Sequence, residues 1–226
     1  MKITIKSLLE NIAKFEQQGS FESCLTAANQ LLLRDPNNAE YLLYKLQALD
    51  GLGRVTSDLQ LLQHYAKMRS TDITAFLLLY KAHMALNNTA DAIIALAFAS
   101  SVDPDDAECQ NLLSNLLAEV DPKYKTVKLN VLTVNRIGHL ACEIEPWARS
   151  RVGIDDDCLY LFICNGQAAA NDSLFTLLKN YAHVIESPFW CQLYLSRPLL
   201  LVDDFFAQFP YDLHSQLRGV SAFDIN

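Results

Sequence analysis

A six-residue string returns almost unchanged 68 positions later. Asp35-Pro36-Asn37-Asn38-Ala39-Glu40 recurs as Asp103-Pro104-Asp105-Asp106-Ala107-Glu108, and 68 divides into two steps of 34. Self-similarity at this spacing implies stacked supersecondary units, each burying a face that only its neighbour can cover. With repeat starts at 5, 39, 73 and 107, Gly19 and Gly53 share one phase, and Asn87 takes that place in the third unit. A reversal between two helices needs a residue that tolerates positive φ, which is why Gly and Asn are expected there. Ala92, Leu96, Ala99 and Pro104 sit at the same phase as Cys24, Ala28, Leu31 and Pro36. Small residues let paired helices approach, and the proline ends the second helix. The middle unit departs from the pattern: Asp58 and Tyr65 hold places for small residues, and Ser70 replaces the proline.

The period and this spacing resemble the tetratricopeptide repeat, a helix–turn–helix unit. The resemblance implies three repeats, with Ala107–Val120 as a solitary capping helix stopped by Asp121-Pro122. It also implies a groove lined by the inner face of each first helix, which selects Lys6, Glu40, Gln47, Lys81, Asn111 and Asn115 to meet a protein or peptide partner. Leu9 and Ala13 stand where carboxylate-gripping repeats carry a Lys/Asn clamp, so the resemblance points away from chaperone tails. The first domain is therefore read as residues 1–122.

The pattern changes after Pro122. Residues 127–134 are β-rich, 140–151 read as helical, and 158–164 form an apolar run of the kind a strand buried on both faces shows. Residues 171–181 read as a helix with Asn171 or Asp172 as N-cap. The stretch 183–186 is a short strand, 189–195 a further helix, and 199–202 is ambiguous. Strands alternating with helices imply βαβ crossovers and a small parallel sheet. The fold class expected is thus an α-solenoid (1–122) followed by a small Rossmann-like α/β domain (123–226).

Composition narrows the partners. Apolar residues make up 51% and charged residues 19%, enough for packed cores. The formal charge of −8 argues against nucleic acid and against anionic membrane surfaces, whose binding needs clustered Lys and Arg. No stretch reaches the roughly 20 apolar residues of a membrane span. Lys2, Lys6, Glu10, Lys14 and Glu16 interrupt any signal-peptide core. Six cysteines with no C-x-x-C pair fit reduced, buried thiols in the cytoplasm and no metal site. The charge is uneven: residues 1–122 carry 9 basic and 15 acidic side chains, and residues 123–226 carry 9 and 11. Lys123, Lys125, Lys128, Arg136, Arg149 and Arg151 form a basic corner, open to reading as an anion site or, for the three lysines, as a solvated linker.

Ligands of open parallel sheets bind outside the carboxyl ends of the strands. Three segments belong there: Asn135–His139, Asn165-Gly166-Gln167 and Glu186-Ser187-Pro188. In the first, a strand runs into Arg136-x-Gly138-His139 and then a helix. Gly138 permits a tight turn, the helix start offers unpaired N–H groups, Arg136 adds a cation, and His139 is the candidate base. Asn165 and Ser187 are the further substrate-binding candidates. A structural turn explains the same residues.

The string Arg136-Ile137-Gly138-His139-Leu140-Ala141, followed by Asn171-x-x-Leu174-x-x-x-Leu178-Lys179-Asn180-Tyr181 and Val184–Pro188, resembles the opening of a family of bacterial glycosyltransferases. These resemble two-Rossmann-domain (GT-B) enzymes and often carry tetratricopeptide repeats ahead of the catalytic part. The resemblance implies sugar transfer from a nucleotide-activated donor in surface-glycan assembly, no bound cofactor or metal, and a Gly138 turn facing the cleft. Only 104 residues follow Pro122, room for one Rossmann-like half. One half is expected to bind an anion without turnover. The alternative reading is a non-catalytic scaffold for protein–protein contacts. Asp155-Asp156-Asp157 reads as a surface turn, His64 and His83 as packing or surface residues, and Trp147 and Trp190 as core anchors. Asp203-Asp204 with Phe205, Phe206 and Phe209 reads as a lid or an interface.

Overall fold

The computed structural model describes residues 4–132, 134–135, 157–180 and 183–196. The chain divides into two compact units, Met1–Lys125 and Thr126–Asn226. The first is all helical: α1 (Ile5–Gln17), α2 (Phe21–Leu32), α3 (Ala39–Gly51), a 3-10 turn (Val55–Asp58), α4 (Leu59–Met68), α5 (Ile73–Ala85), α6 (Thr89–Val102) and α7 (Ala107–Val120). Helices α1, α3, α5 and α7 begin at residues 5, 39, 73 and 107, in step with the sequence period.

Two local signals repeat with that period. The residue before each of these helices is short and polar, and its side chain accepts a hydrogen bond from the opened first turn. Thr4 accepts from the Ser7 amide at 3.2 Å, and Asn38 from Glu40 at 3.1 Å. Asp72 accepts from Thr74 at 2.9 Å, and Asp106 from Cys109 at 2.7 Å. Each such cap is worth about 1 kcal/mol. At the other end, Gly19 and Gly53 (both φ 65°) and Asn87 (φ 58°) turn the chain left-handed. The next amide then reaches back five residues: Ser20 to the Phe15 carbonyl (2.8 Å), Arg54 to Leu49 (2.7 Å) and Asn88 to His83 (2.9 Å). The reversal that Gly and Asn were expected to make is the one observed.

Packing follows from these reversals. Helix α2 lies against α1 and α3, and α6 lies against α5 and α7. Cys24, Ala28, Leu31, Ala92, Leu96 and Ala99 are all buried in these contacts. Phe76 and Phe98 stack with ring centroids 5.4 Å apart, joining α5 to α6. In the middle repeat, residue 55 keeps the phase but opens a 3-10 turn, and the α-helix starts only at Leu59. Asp58 caps α4 through the Leu61 amide (3.3 Å) and pairs with Lys45 (2.9 Å). Tyr65 is buried and its hydroxyl donates to Asp72 Oδ2 at 2.6 Å. The departures at Asp58 and Tyr65 are thus each accommodated by a polar partner.

The second unit holds three parallel strands in the order β1 (Thr126–Val131), β2 (Cys158–Cys164), β3 (His183–Glu186), with α8 (Asp172–Leu178) and α9 (Pro188–Ser196). The register sets Leu129 beside Leu161, Val131 beside Ile163 and Phe162 beside Val184. The central strand β2 is buried on both faces apart from half-buried Tyr160, as its apolar run predicts. Leu132, Val134, Phe162 and Cys164 form one core cluster, with Leu174 and Phe175 of α8 against it. Helix α9 packs on β1 and β2 and carries the fully buried Trp190.

The predicted strand at 127–134 is shorter than expected. The paired register runs to Val131, one further bond joins the Leu132 amide to the Ile163 carbonyl at 2.7 Å, and β2 ends at Cys164. The predicted helix at 171–181 is observed over Asp172–Leu178, with Lys179 and Asn180 in a turn and Tyr181 outside the described residues. Asn171 rather than Asp172 is its cap, accepting from the Leu174 amide at 2.9 Å. Asp157 lies in a bend, its carbonyl accepting from the Thr126 amide at 3.2 Å, which fits the turn reading. The expected helix at 140–151, Trp147, Asp155, Asp156, the stretch 199–202 and the Asp203–Phe209 group lie outside the described residues.

Candidate functional site at the carboxyl edge of the sheet

The carboxyl ends of the three strands come together as the topology requires. After β1, the Val134 carbonyl accepts from the Ala170 amide at 2.7 Å, and the Asn135 side-chain amide donates to Gln167 Oε1 at 2.7 Å. After β2, Asn165-Gly166-Gln167 makes a tight turn. Gly166 has φ 73°, and the Gln167 amide donates to Asn165 Oδ1 at 3.2 Å. After β3, the Ser187 amide donates to the Cys164 carbonyl at 2.8 Å, while Ser187 Oγ accepts from the Trp190 amide at 3.3 Å. Ser187 is therefore the N-cap of α9.

Of the residues singled out in the sequence, Asn165 and Ser187 stand on this edge. Arg136, Gly138 and His139 lie outside the described residues. The Asn135–Gln167 clasp ties the first two loops together. The two segments had been singled out separately, but an amide pair that joins them is not a periodic feature. Two thiols lie buried beside this edge. Burial raises the pKa of Cys164, and burial with Cys164 as neighbour pushes Cys191 up to about 11. Both stay protonated near neutrality, which makes them packing groups and not nucleophiles.

In the helical unit, Lys6, Glu40, Gln47, Lys81, Asn111 and Asn115 are all exposed. Glu40 accepts from the Tyr44 hydroxyl at 2.7 Å, a bond that, with burial, raises the phenol to about 12. Lys81 reaches Asp50 at 2.5 Å, joining α5 to α3. His64 is exposed and His83 is buried, which assigns one to the surface and the other to packing. In the basic corner, Lys123 lies over the Tyr124 ring (5.3 Å) and Lys125 donates to the Pro122 carbonyl (3.0 Å), local contacts that fit a linker, whereas Lys128 is half-buried in strand β1 and is not part of one.

A cleft of about 620 Å³ opens where α3, α4, α5 and the end of α6 meet, with Glu40, Tyr65, Arg69, Asp72 and Asp103 among its walls. Sequence reasoning reached only Glu40 of this set as a binding residue. The signal for the rest was the irregular Tyr65. A smaller groove of about 430 Å³ lies between α1 and α2, lined by Ser7, Asn11, Thr26 and Gln30 among others. The same phase in the third repeat carries buried Ala75, Leu79, Ile94 and Phe98, so this end face is polar where the inner interface is apolar.

Among the described residues, no group of three His, Cys, Asp or Glu side chains could hold a metal ion. The five described cysteines are buried thiols. No described helix is long and apolar enough to cross a membrane.

No protein-family model matches the chain, and no curated protein matches it. Among solved structures, it is similar to a mutant of the Thermobaculum terrenum O-GlcNAc transferase at 16% identity and a TM-score of 0.45. The match covers 81% of this chain and 41% of that one. The chain thus spans less than half of that protein's length, and at this identity and score the likeness carries no argument for function.

Proposed function

We propose that the chain is part of a repeat-containing glycosyltransferase, with the α/β unit forming one wall of a nucleotide-sugar site and the helical repeats recruiting the acceptor or a partner protein. The observation that carries the reading is the parallel sheet whose three strand ends gather the loops of Asn135, Asn165 and Ser187 on one edge. That is where open α/β sheets bind ligands. On this reading Arg136 and the helix start after Gly138 take the donor's phosphates, and His139 serves as base. Asn165 and Ser187 remain the further donor-binding candidates on this reading. Each also holds its own turn, so they shape the loops that meet the donor.

A second reading has an observation in its favour. Asn165 Oδ1 and Ser187 Oγ are both engaged in local caps, as they are in a purely structural turn. The α/β unit is then a non-catalytic part of a scaffold. The experiment that separates the two is saturation-transfer NMR of the chain with a panel of nucleotide sugars. Binding that is lost in Gly138→Val and Arg136→Gln supports the transferase reading. Absence of any nucleotide-sugar binding supports the scaffold. Transfer requires a donor, acceptor and base held in one water-poor cleft, so binding without turnover is expected of one wall. Multiple turnovers abolished by His139→Ala overturn that expectation.

A further inference from the structure

We propose that the cleft between the second and third repeats binds a lysine- or arginine-bearing segment of a partner protein. The proposal rests on the recruiting role given to the repeats above and is independent of sugar transfer. The cleft lies between the start of α3, the end of α4, the start of α5 and the end of α6. Its volume of about 620 Å³ is that of a site for several side-chain-sized groups.

Its chemistry has two parts. Leu43, Ile73 and Val102 give an apolar lining, against which the methylene stem of a long side chain can lie. Glu40, Asp72 and Asp103 supply three carboxylates against the single guanidinium of Arg69. An aliphatic ligand would strip water from those carboxylates without replacing it. An acidic ligand meets the wrong charge. A side chain with an aliphatic stem and a cationic head satisfies both parts. The surrounding field has the same sign, since residues 1–122 carry 15 acidic against 9 basic side chains, and such a field steers cations inward. The cleft also coincides with the irregular repeat. Tyr65 stands at the phase of Leu31 and Ala99, and its hydroxyl holds Asp72 at 2.6 Å.

The test uses the full chain and two short fluorescent peptides of equal length, alternating alanine with lysine in one and with glutamate in the other. Anisotropy is expected to show saturable binding of the lysine peptide alone, with the methyl NMR signals of Ile73 and Val102 moving on titration. The double variant Glu40→Gln/Asp103→Asn weakens binding about tenfold, and Arg69→Gln tightens it about threefold, as exposed charge pairs allow. Glu10→Gln/Glu16→Gln makes the same charge change on α1, outside the cleft, and shifts affinity by about twofold or less. The proposal fails if the lysine peptide does not saturate, if both double variants lose affinity equally, or if spermidine displaces the peptide as well as a second lysine peptide does.

Discussion

The helical unit and the α/β unit are held by signals of different range. In the first, each helix start and each reversal is specified within a few residues. Thr4, Asn38, Asp72 and Asp106 cap four helices at one spacing, and Gly19, Gly53 and Asn87 reverse three. A fault in one repeat therefore leaves the others correctly addressed. In the second, nothing local places β1 beside β2. Thr126 faces Cys158 across 32 positions of sequence, and the pairing is specified by burial of the β2 run on both faces. Periodic sequences make local errors tolerable, whereas a three-stranded sheet stands or falls as one element.

The largest test of this contrast is a matched pair of core truncations. Phe98→Ala in α6 and Phe162→Ala in β2 each remove a fully buried ring, and each is expected to cost about 3–5 kcal/mol. Hydrogen exchange should then part them. Phe98→Ala is expected to loosen α5, α6 and α7 while α1 and α2 keep their protection. Phe162→Ala is expected to deprotect β1, β2 and β3 together. Equal, chain-wide loss of protection in both variants would show that the helical unit is not modular.

A smaller effect compares turns of the two units. Gly53 (φ 65°) and Gly166 (φ 73°) have no atom within 4 Å of an added Cβ, so alanine meets only backbone strain. Both substitutions are expected to destabilise by about 1–2 kcal/mol in urea unfolding. A cost well above that for Gly166→Ala alone would mean that the Asn165–Gln167 turn carries strain shared with the Asn135 clasp.

The caps rank next. Asp106→Ala is expected to cost about 1 kcal/mol by thermal unfolding. Asp72→Ala is expected to cost about 2 kcal/mol, because it also strands the buried Tyr65 hydroxyl. If the two cost the same, the Tyr65–Asp72 bond contributes nothing to joining the repeats.

How far the fold was legible follows the same division. The 34-residue phase located the starts of α1, α3, α5 and α7 and the conformation of all three reversals, but not the start of α4, which the 3-10 turn delays to Leu59. The caps were equally present in the sequence, as Thr, Asn, Asp and Asp at one phase, but capping lives in residue type and not in hydrophobic period. In the second unit the strand β2 was plain from its apolar run. The end of β1 was not, since Leu132 and Val134 keep strand-like chemistry past the last paired residue, Val131. The candidate site was legible as an address, the carboxyl edge of a parallel sheet. The roles of Asn165 and Ser187 were not. An Asn or Ser can bind a ligand, its own backbone or both, and residue type alone does not say which.

The smallest expected effect concerns pH and again separates the units. His83 is buried in α5 at 4% exposure, and burial lowers its pKa from the ordinary 6.5, with Asp91 pulling the other way. A lowered native pKa means that the unfolded chain binds a proton more readily than the folded one. The stability tied to His83 is therefore fully present above pH 6.5 and falls as the pH drops from there toward the native value, levelling below it. Urea midpoints measured with probes in the helical unit should decline across that window, and His83→Leu should flatten the decline by keeping the site apolar at all pH values. In the α/β unit the described histidine, His183, is exposed. Probes there should show no decline that follows the His83 substitution. A decline in the helical unit that survives His83→Leu would remove His83 from the account.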